Sequence, residues 1–206
     1  MLAYFFQKAT WPPFVLAAKF FLYFKVEGGE NFKLVKQRQY FIIANHRGYL
    51  DAFLVCSAVP FFYFIKSDFR YMIAPHWLKV YPFLKLFGAY PIYRKSGNLE
   101  KTLADTEKLI KHGKSLLIFP EGTFPKDNKP LPAKQGIAYL AKKYDLPIVP
   151  MAIHNGAGLN PKRYFLRKHK IKIKIGPPFY YQEVADAKDD YCLAAQKIMN
   201  KVNLML

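Results

Sequence analysis

Tyr40-Phe41-Ile42-Ile43-Ala44 runs directly into Asn45-His46-Arg47-Gly48-Tyr49-Leu50-Asp51, and the order of these residues sets the fold class. The first five are apolar without alternation, the pattern of a strand covered on both faces. A polar turn containing Gly48 follows, and residues 50–58 then read as a helix. A buried strand that leaves through a turn into a helix is the repeating unit of α/β folds.

The alternation continues along the chain. Phe61 to Ile65 is a second strand candidate, and His76 to Phe87 reads as an aromatic helix, kinked at Pro82 and ended by Gly88. Ala89 to Tyr93 is a short strand. Asn98 is placed to cap a helix through His112, with Gly113 as its stop. Ser115 to Phe119 is another buried strand, followed by a Pro- and Lys-rich loop to Pro132. Gln135 to Tyr144 resumes a helix and Pro147 to Ile153 a strand. Lys170 to Ile175 alternates Lys with Ile, as a half-exposed strand does, and residues 182–206 read as a C-terminal helix with Leu193, Ile198, Met199 and Val202 inward. The expectation is one α/β domain, a mostly parallel or mixed sheet flanked by helices.

The 206 residues suit one domain, and 52% hydrophobic with 17% aromatic content excludes a disordered chain. The net charge of +18, from 32 Lys and Arg against 14 acidic residues, calls for an anionic partner. Nucleic acid, an anionic lipid surface and an acidic carrier protein all satisfy it. Cys56 and Cys192 have neither CxxC spacing nor a His cluster, so no metal site is expected, and both read as buried reduced thiols.

From Trp11 to Phe24 the only charge is Lys19, and the run opens with Pro12-Pro13. It is shorter than the ~20 apolar residues of a spanning helix. No small-residue cleavage site follows, which argues against a signal peptide. Flanked by Lys8, Lys19 and Lys25, residues 1–25 read as an amphipathic helix lying in the membrane interface. The other reading is a helix packed on the protein's own core.

His46 and Asp51 carry the chemistry. Five residues of regular helix turn through about 500°, which would point the two side chains apart. A strand-to-helix turn, eased by Gly48, allows them to meet. Asp51 would then fix the tautomer of His46, whose other nitrogen takes a proton from a substrate hydroxyl; no protein nucleophile is needed. The plain alternative is a hydrogen bond that only stabilises the turn. Phe119-Pro120-Glu121-Gly122-Thr123 closes a second buried strand, the edge where α/β folds place ligands, although alone it reads equally well as a turn.

Together these blocks resemble the glycerolipid acyltransferase family. Gly88-Ala89-Tyr90-Pro91-Ile92-Tyr93-Arg94 resembles its second block and Leu146-Pro147-Ile148-Val149-Pro150-Met151-Ala152 its fourth, while Gly28 to Asn31 is similar to the stretch leading into its first strand. The likeness runs from about residue 20 to about 155. It implies an acyltransferase domain over 26–206, with His46 as general base and Asp51 orienting it. It also implies that Arg94 and Lys134 contact the acceptor's phosphate and that Glu121, Gly122 and Thr123 line the acceptor site. Acyl-CoA or acyl carrier protein would be the donor, lysophosphatidic acid the acceptor and phosphatidic acid the product, with no cofactor. The domain would work peripherally or monotopically on the cytoplasmic face of the inner membrane, an anionic surface. Where the family usually has Arg after Glu-Gly-Thr this chain has Phe124, so Lys126 or Lys134 would replace it or the acceptor differs. Another lysophospholipid, a lyso-ornithine lipid or a glycolipid precursor are the alternatives. A basic nucleic-acid-binding module is the competing class, but it leaves the ordered blocks unexplained, and no nucleic acid is expected.

Overall fold

The computed structural model describes residues 2–93, 97–123, 125, 131–155, 170–186 and 188–206. Seven strands form one mixed sheet: β1 (Lys25–Glu27), β2 (Phe41–Ala44), β3 (Phe69–Ile73), β4 (Ala89–Pro91), β5 (Ser115–Ile118), β6 (Ile148–His154) and β7 (Lys172–Ile175). Their spatial order is β1-β7-β6-β2-β5-β3-β4. All neighbours are parallel except β6 and β7. β2 lies at the centre, in register with β5 through Phe41 and Leu116 and with β6 through Phe41 and Ile148.

Helices cover both faces, so both faces of the central strands are apolar. Ile42, Ala44, Leu117, Val149 and Met151 face a core shared with α1 (Leu2–Leu22), α2 (Asp51–Ala58), α3 (Phe61–Lys66) and α4 (Pro75–Val80). Phe41, Ile43, Leu116, Ile118 and Ile148 face a second core, shared with α5 (Leu99–Lys111), α6 (Gly136–Tyr144) and the last helix, α7 (Tyr191–Asn203). The absence of alternation in the sequence of β2 follows from this double cover.

The structure changes several of the expected elements. Phe61 to Ile65 is not a strand but the helix α3, begun by Pro60, with Phe64 buried and Phe61, Phe62 and Ile65 exposed. Aromatic β-propensity gave way there to the neighbouring packing. The strand lies just beyond, at Phe69–Ile73. The aromatic helix over 76–87 divides at Pro82 into α4 and a 3-10 helix, Pro82–Phe87. The C-terminal helix starts at Tyr191 rather than 182, where the Asp190 side chain accepts from the Leu193 N–H at 2.7 Å. Cys192 is exposed rather than buried. Cys56 is half-buried as a residue, and burial pushes its thiol up to about 12.

The N-terminal helix is longer than its apolar run suggested, with Pro12 and Pro13 inside it. Its inner side packs on the core. Gln7 Nε2 donates to Phe69 O at 3.0 Å, and Trp11 Nε1 donates to Cys56 O at 3.1 Å. Lys8 does not face outward, as a flanking charge would. Its ammonium donates to the Phe64 and Ser67 carbonyls at the end of α3, and burial lowers its pKa to about 8. The outer side carries Leu2, Phe5, Leu16 and Phe20, all more than half exposed. Among the described residues no helix is long and apolar enough to cross a membrane.

Gly28 shows why the break before β2 needs glycine. Its φ is +79°, and a Cβ there would stand 2.1 Å from Ile175 O on β7. Asn31 fastens the same carbonyl through Nδ2 at 2.8 Å.

Candidate active site

β2 ends at Ala44, and the next residues build the site. Asn45 is buried and clips the end of β2 to β6: its Oδ1 accepts from the Ile153 N–H at 2.7 Å, and its Nδ2 donates to Ile153 O at 3.1 Å. The chain then turns through His46 to Leu50 and enters α2 at Asp51.

Asp51 occupies the first turn of α2 and folds back under the turn that precedes it. Its Oδ2 takes a hydrogen bond from His46 Nδ1 at 2.7 Å and from the Gly48 N–H at 2.7 Å, and another from the Arg47 N–H. The carboxylate is fully buried. Three N–H donors converge on that one oxygen. Gly48 serves differently from the expectation. It is not among the glycines with positive φ, and it contributes its N–H rather than special backbone freedom.

With Nδ1 carrying its proton to Asp51, the basic lone pair of His46 sits on Nε2. The ring stacks on Phe119 with centroids 4.4 Å apart and planes 19° apart. Side-chain exposure of His46 is 20%, enough for a substrate to reach it. An imidazole held by a buried carboxylate and a stacked ring is oriented to accept a proton at a fixed point.

β5 runs parallel beside β2, so its C-terminal end delivers Glu121 to the same turn. Glu121 Oε1 accepts from the His46 N–H at 3.0 Å, whereas Oε2 has no hydrogen-bond partner among the described residues. Burial pushes this carboxyl above its ordinary value, against the opposing pull of N–H groups from His46 and Leu131 and the charge of Arg47. Glu121 is thus turned inward, beneath the histidine turn. Gly122 follows with φ +72°, a left-handed conformation that favours glycine. Thr123 is exposed at the same edge. Lys134 is also exposed, and its N–H donates to Pro120 O at 2.7 Å, which ties the start of α6 to the end of β5.

The structure therefore brings together His46, Asp51 and Glu121, with Gly122 and Thr123 next in the chain after Glu121 and Lys134 tied by its backbone to Pro120. Arg94, Phe124 and Lys126 lie outside the described residues. β4, which leads to Arg94, stands three strands from β2, about 14 Å across the sheet. His154 ends β6 one residue beyond the Asn45 clip, with burial and then Lys172 and Lys174 lowering its pKa. Two contributors had no role assigned from sequence: Asn45 as a clip and Phe119 as the stacking ring. A polar Asn at the close of an apolar strand was the available signal for the first; nothing local marked the second.

The fold and this turn define an α/β domain with a carboxylate-held histidine at the carboxyl edge of its central strand. The sequence model described as Acyltransferase matches residues 23–154, and the chain belongs to that family. A 1-acyl-sn-glycerol-3-phosphate acyltransferase of Saccharomyces cerevisiae is 30% identical over 185 residues, covering 86% of this chain and 58% of the yeast protein. One of Bacillus subtilis is 28% identical over 174 residues, covering 83% of this chain and 81% of its own. The crystal structure of the 1-acyl-sn-glycerophosphate (LPA) acyltransferase of Thermotoga maritima shares the fold, with a TM-score of 0.67 at 20% identity over 96% of this chain and 79% of that one. The chain spans about half the length of several curated relatives it matches.

Proposed function

We propose that this domain transfers a fatty acyl group from an acyl thioester to the free hydroxyl of lysophosphatidic acid, giving phosphatidic acid. The 2.7 Å contact of His46 Nδ1 with the buried Asp51 carries the reading. His46 Nε2 takes the proton of the acceptor hydroxyl as its oxygen attacks the thioester carbonyl. The tetrahedral intermediate collapses to the ester, the carbon–sulfur bond breaks, and the departing sulfur takes the proton back from the imidazolium. Asp51 holds the tautomer and faces the positive charge that develops on the ring. Gly122, Thr123, Lys134 and Arg94 are assigned to the acceptor, the two cations to its phosphate, while Glu121, expected beside them, serves the site from beneath through the backbone of His46. Acyl-CoA or acyl carrier protein supplies the thioester.

Residues 1–25 are the membrane-facing segment and residues 26–206 the catalytic domain. The apolar outer side of α1, with Lys19 beside it and no acidic residue before Glu27, fits the surface of an anionic bilayer at its cytoplasmic face.

The test is transfer from a labelled acyl thioester, as CoA and as carrier-protein conjugate, to lysophosphatidic acid, with His46→Ala alongside. Phosphatidic acid from the native chain and none from the variant is the expected result. Equal product from both would refute the assignment of the base. Phe124 favours a second reading, the same chemistry on another lysolipid. Product with such an acceptor and none with lysophosphatidic acid would select it.

A further inference from the structure

The outer surface near the catalytic turn carries a line of aromatic rings that the chemistry does not use. Tyr49, between His46 and Asp51 in the turn, meets Trp77 edge-on at 5.4 Å. Trp77 stacks on Tyr81 at 5.9 Å, Tyr81 meets Phe83 at 6.0 Å, and Phe83 meets Phe87 at 6.4 Å. Phe87 then meets Phe6 of α1 at 5.0 Å. The line joins the catalytic turn to the N-terminal helix without a gap.

Tyr49, Tyr81 and Phe83 are exposed and Trp77 and Phe87 half-buried, and little of the segment enters the core. α4 buries only Leu78, and the 3-10 helix Pro82–Phe87, Pro-Phe-Leu-Lys-Leu-Phe, buries no residue at all. Tyr49 is 69% exposed, Val80 60% and Phe83 51%. A water-facing surface scatters its apolar groups singly; a contiguous strip of this kind marks a contact surface. Trp and Tyr, with an apolar body and one polar atom, suit the boundary between lipid and water. The charge decides among occupants. From Ile73 to Tyr93 the only charged side chains are Lys79 and Lys85, both exposed, so the strip suits an anionic surface.

We infer that the aromatic strip from Tyr49 through Trp77, Tyr81 and Phe83 is a second membrane-contact element, docking on anionic phospholipid and seating the His46 turn at headgroup level. It rests on the reading of α1 as membrane-facing and adds a contact on the catalytic side. The glycerol hydroxyl of a lysolipid lies at that depth, so the acceptor reaches His46 without leaving the bilayer.

Trp11 and Trp77 are the only tryptophans, so Trp11→Phe in the full chain leaves Trp77 as sole reporter. Mixed phosphatidylglycerol–phosphatidylcholine vesicles with brominated acyl chains should shift its emission to the blue and quench it, most strongly with bromines near the headgroups. Tyr81→Ser with Phe83→Ser, in a chain retaining both tryptophans, should lower vesicle partition about tenfold, or ~1.4 kcal/mol. Far-ultraviolet circular dichroism checks that each variant is folded. Sedimentation with vesicles while Trp77 neither shifts nor quenches, and while the double variant partitions normally, would overturn the strip and leave α1 as the docking element. No sedimentation at all would overturn both readings. A Trp77 shift with acyl carrier protein and none with vesicles would overturn the strip in favour of a protein contact.

Discussion

Asp51→Asn separates the electrostatic part of the proposed mechanism from its geometry. The single oxygen Oδ2 serves His46 Nδ1 and the Arg47 and Gly48 N–H groups together. In the variant the amide oxygen is drawn to that place, because all three donors need an acceptor. The amide NH2 then falls where Oδ1 now stands, a buried spot with no partner among the described residues. The tautomer of His46 survives, but the negative charge beneath it is gone. A unit charge about 4 Å from the forming imidazolium, at an effective dielectric constant near 20, is worth ~4 kcal/mol. At ~1.4 kcal/mol per decade, kcat should fall roughly a thousandfold. Stability should move less. Three bonds to a charged oxygen each weaken by about 1 kcal/mol, and removal of a buried charge offsets part of that. The assay is the initial rate of phosphatidic acid formation at saturating acceptor, with urea unfolding of the same samples. A kcat within tenfold of the native value, in a variant that unfolds at the native midpoint, would refute the charge argument.

Three further substitutions probe the frame around this pair. Glu121 binds its proton more tightly in the folded chain than a free glutamate does, so its contribution to stability is greatest below the ordinary carboxyl pKa and declines as pH rises through the raised folded value. Glu121→Gln removes that decline, and urea midpoints measured across the acidic range should show the native chain losing stability relative to the variant as pH increases. Asn45→Ala leaves the buried N–H and C=O of Ile153 without their side-chain partner, a loss of roughly 2–4 kcal/mol in urea unfolding. Gly28→Ala places a Cβ against Ile175 O in a left-handed residue; it should lose more than the ~1–2 kcal/mol of the backbone conformation alone, and an unchanged midpoint would disprove the close approach.

What the sequence disclosed depends on how local each cause is. β2, β5 and β6 are apolar on both faces, and the end of α5 at Gly113 is written in a single residue, so these elements stood where expected. Phe61 to Ile65 is helix rather than the expected strand: its aromatics fit a strand by propensity, while their actual partners come from far away. Trp11 of α1 packs on Phe61 and Phe64, and Tyr4 donates to Ile65 O. β1 was missed for a different reason: three residues, Lys25–Glu27, hold no pattern of their own and become a strand only by pairing with β7.

The site divides in the same way. His46 and Asp51 lie five positions apart in sequence, so one turn makes their contact, and the turn is legible. Glu121 lies 75 positions from His46 and joins it only because β5 settles beside β2. Glu121, expected to line the acceptor site, is buried, with one oxygen accepting from the backbone N–H of the histidine. Under the proposed function such a residue would act on the acceptor through the position of the base, and loss of its hydrogen bond should lower kcat more than it raises KM. Glu121→Gln keeps an oxygen for the His46 N–H and should spare that step, whereas Glu121→Ala should not. Equal kcat in the two variants would remove the positioning role and return Glu121 to direct contact with substrate.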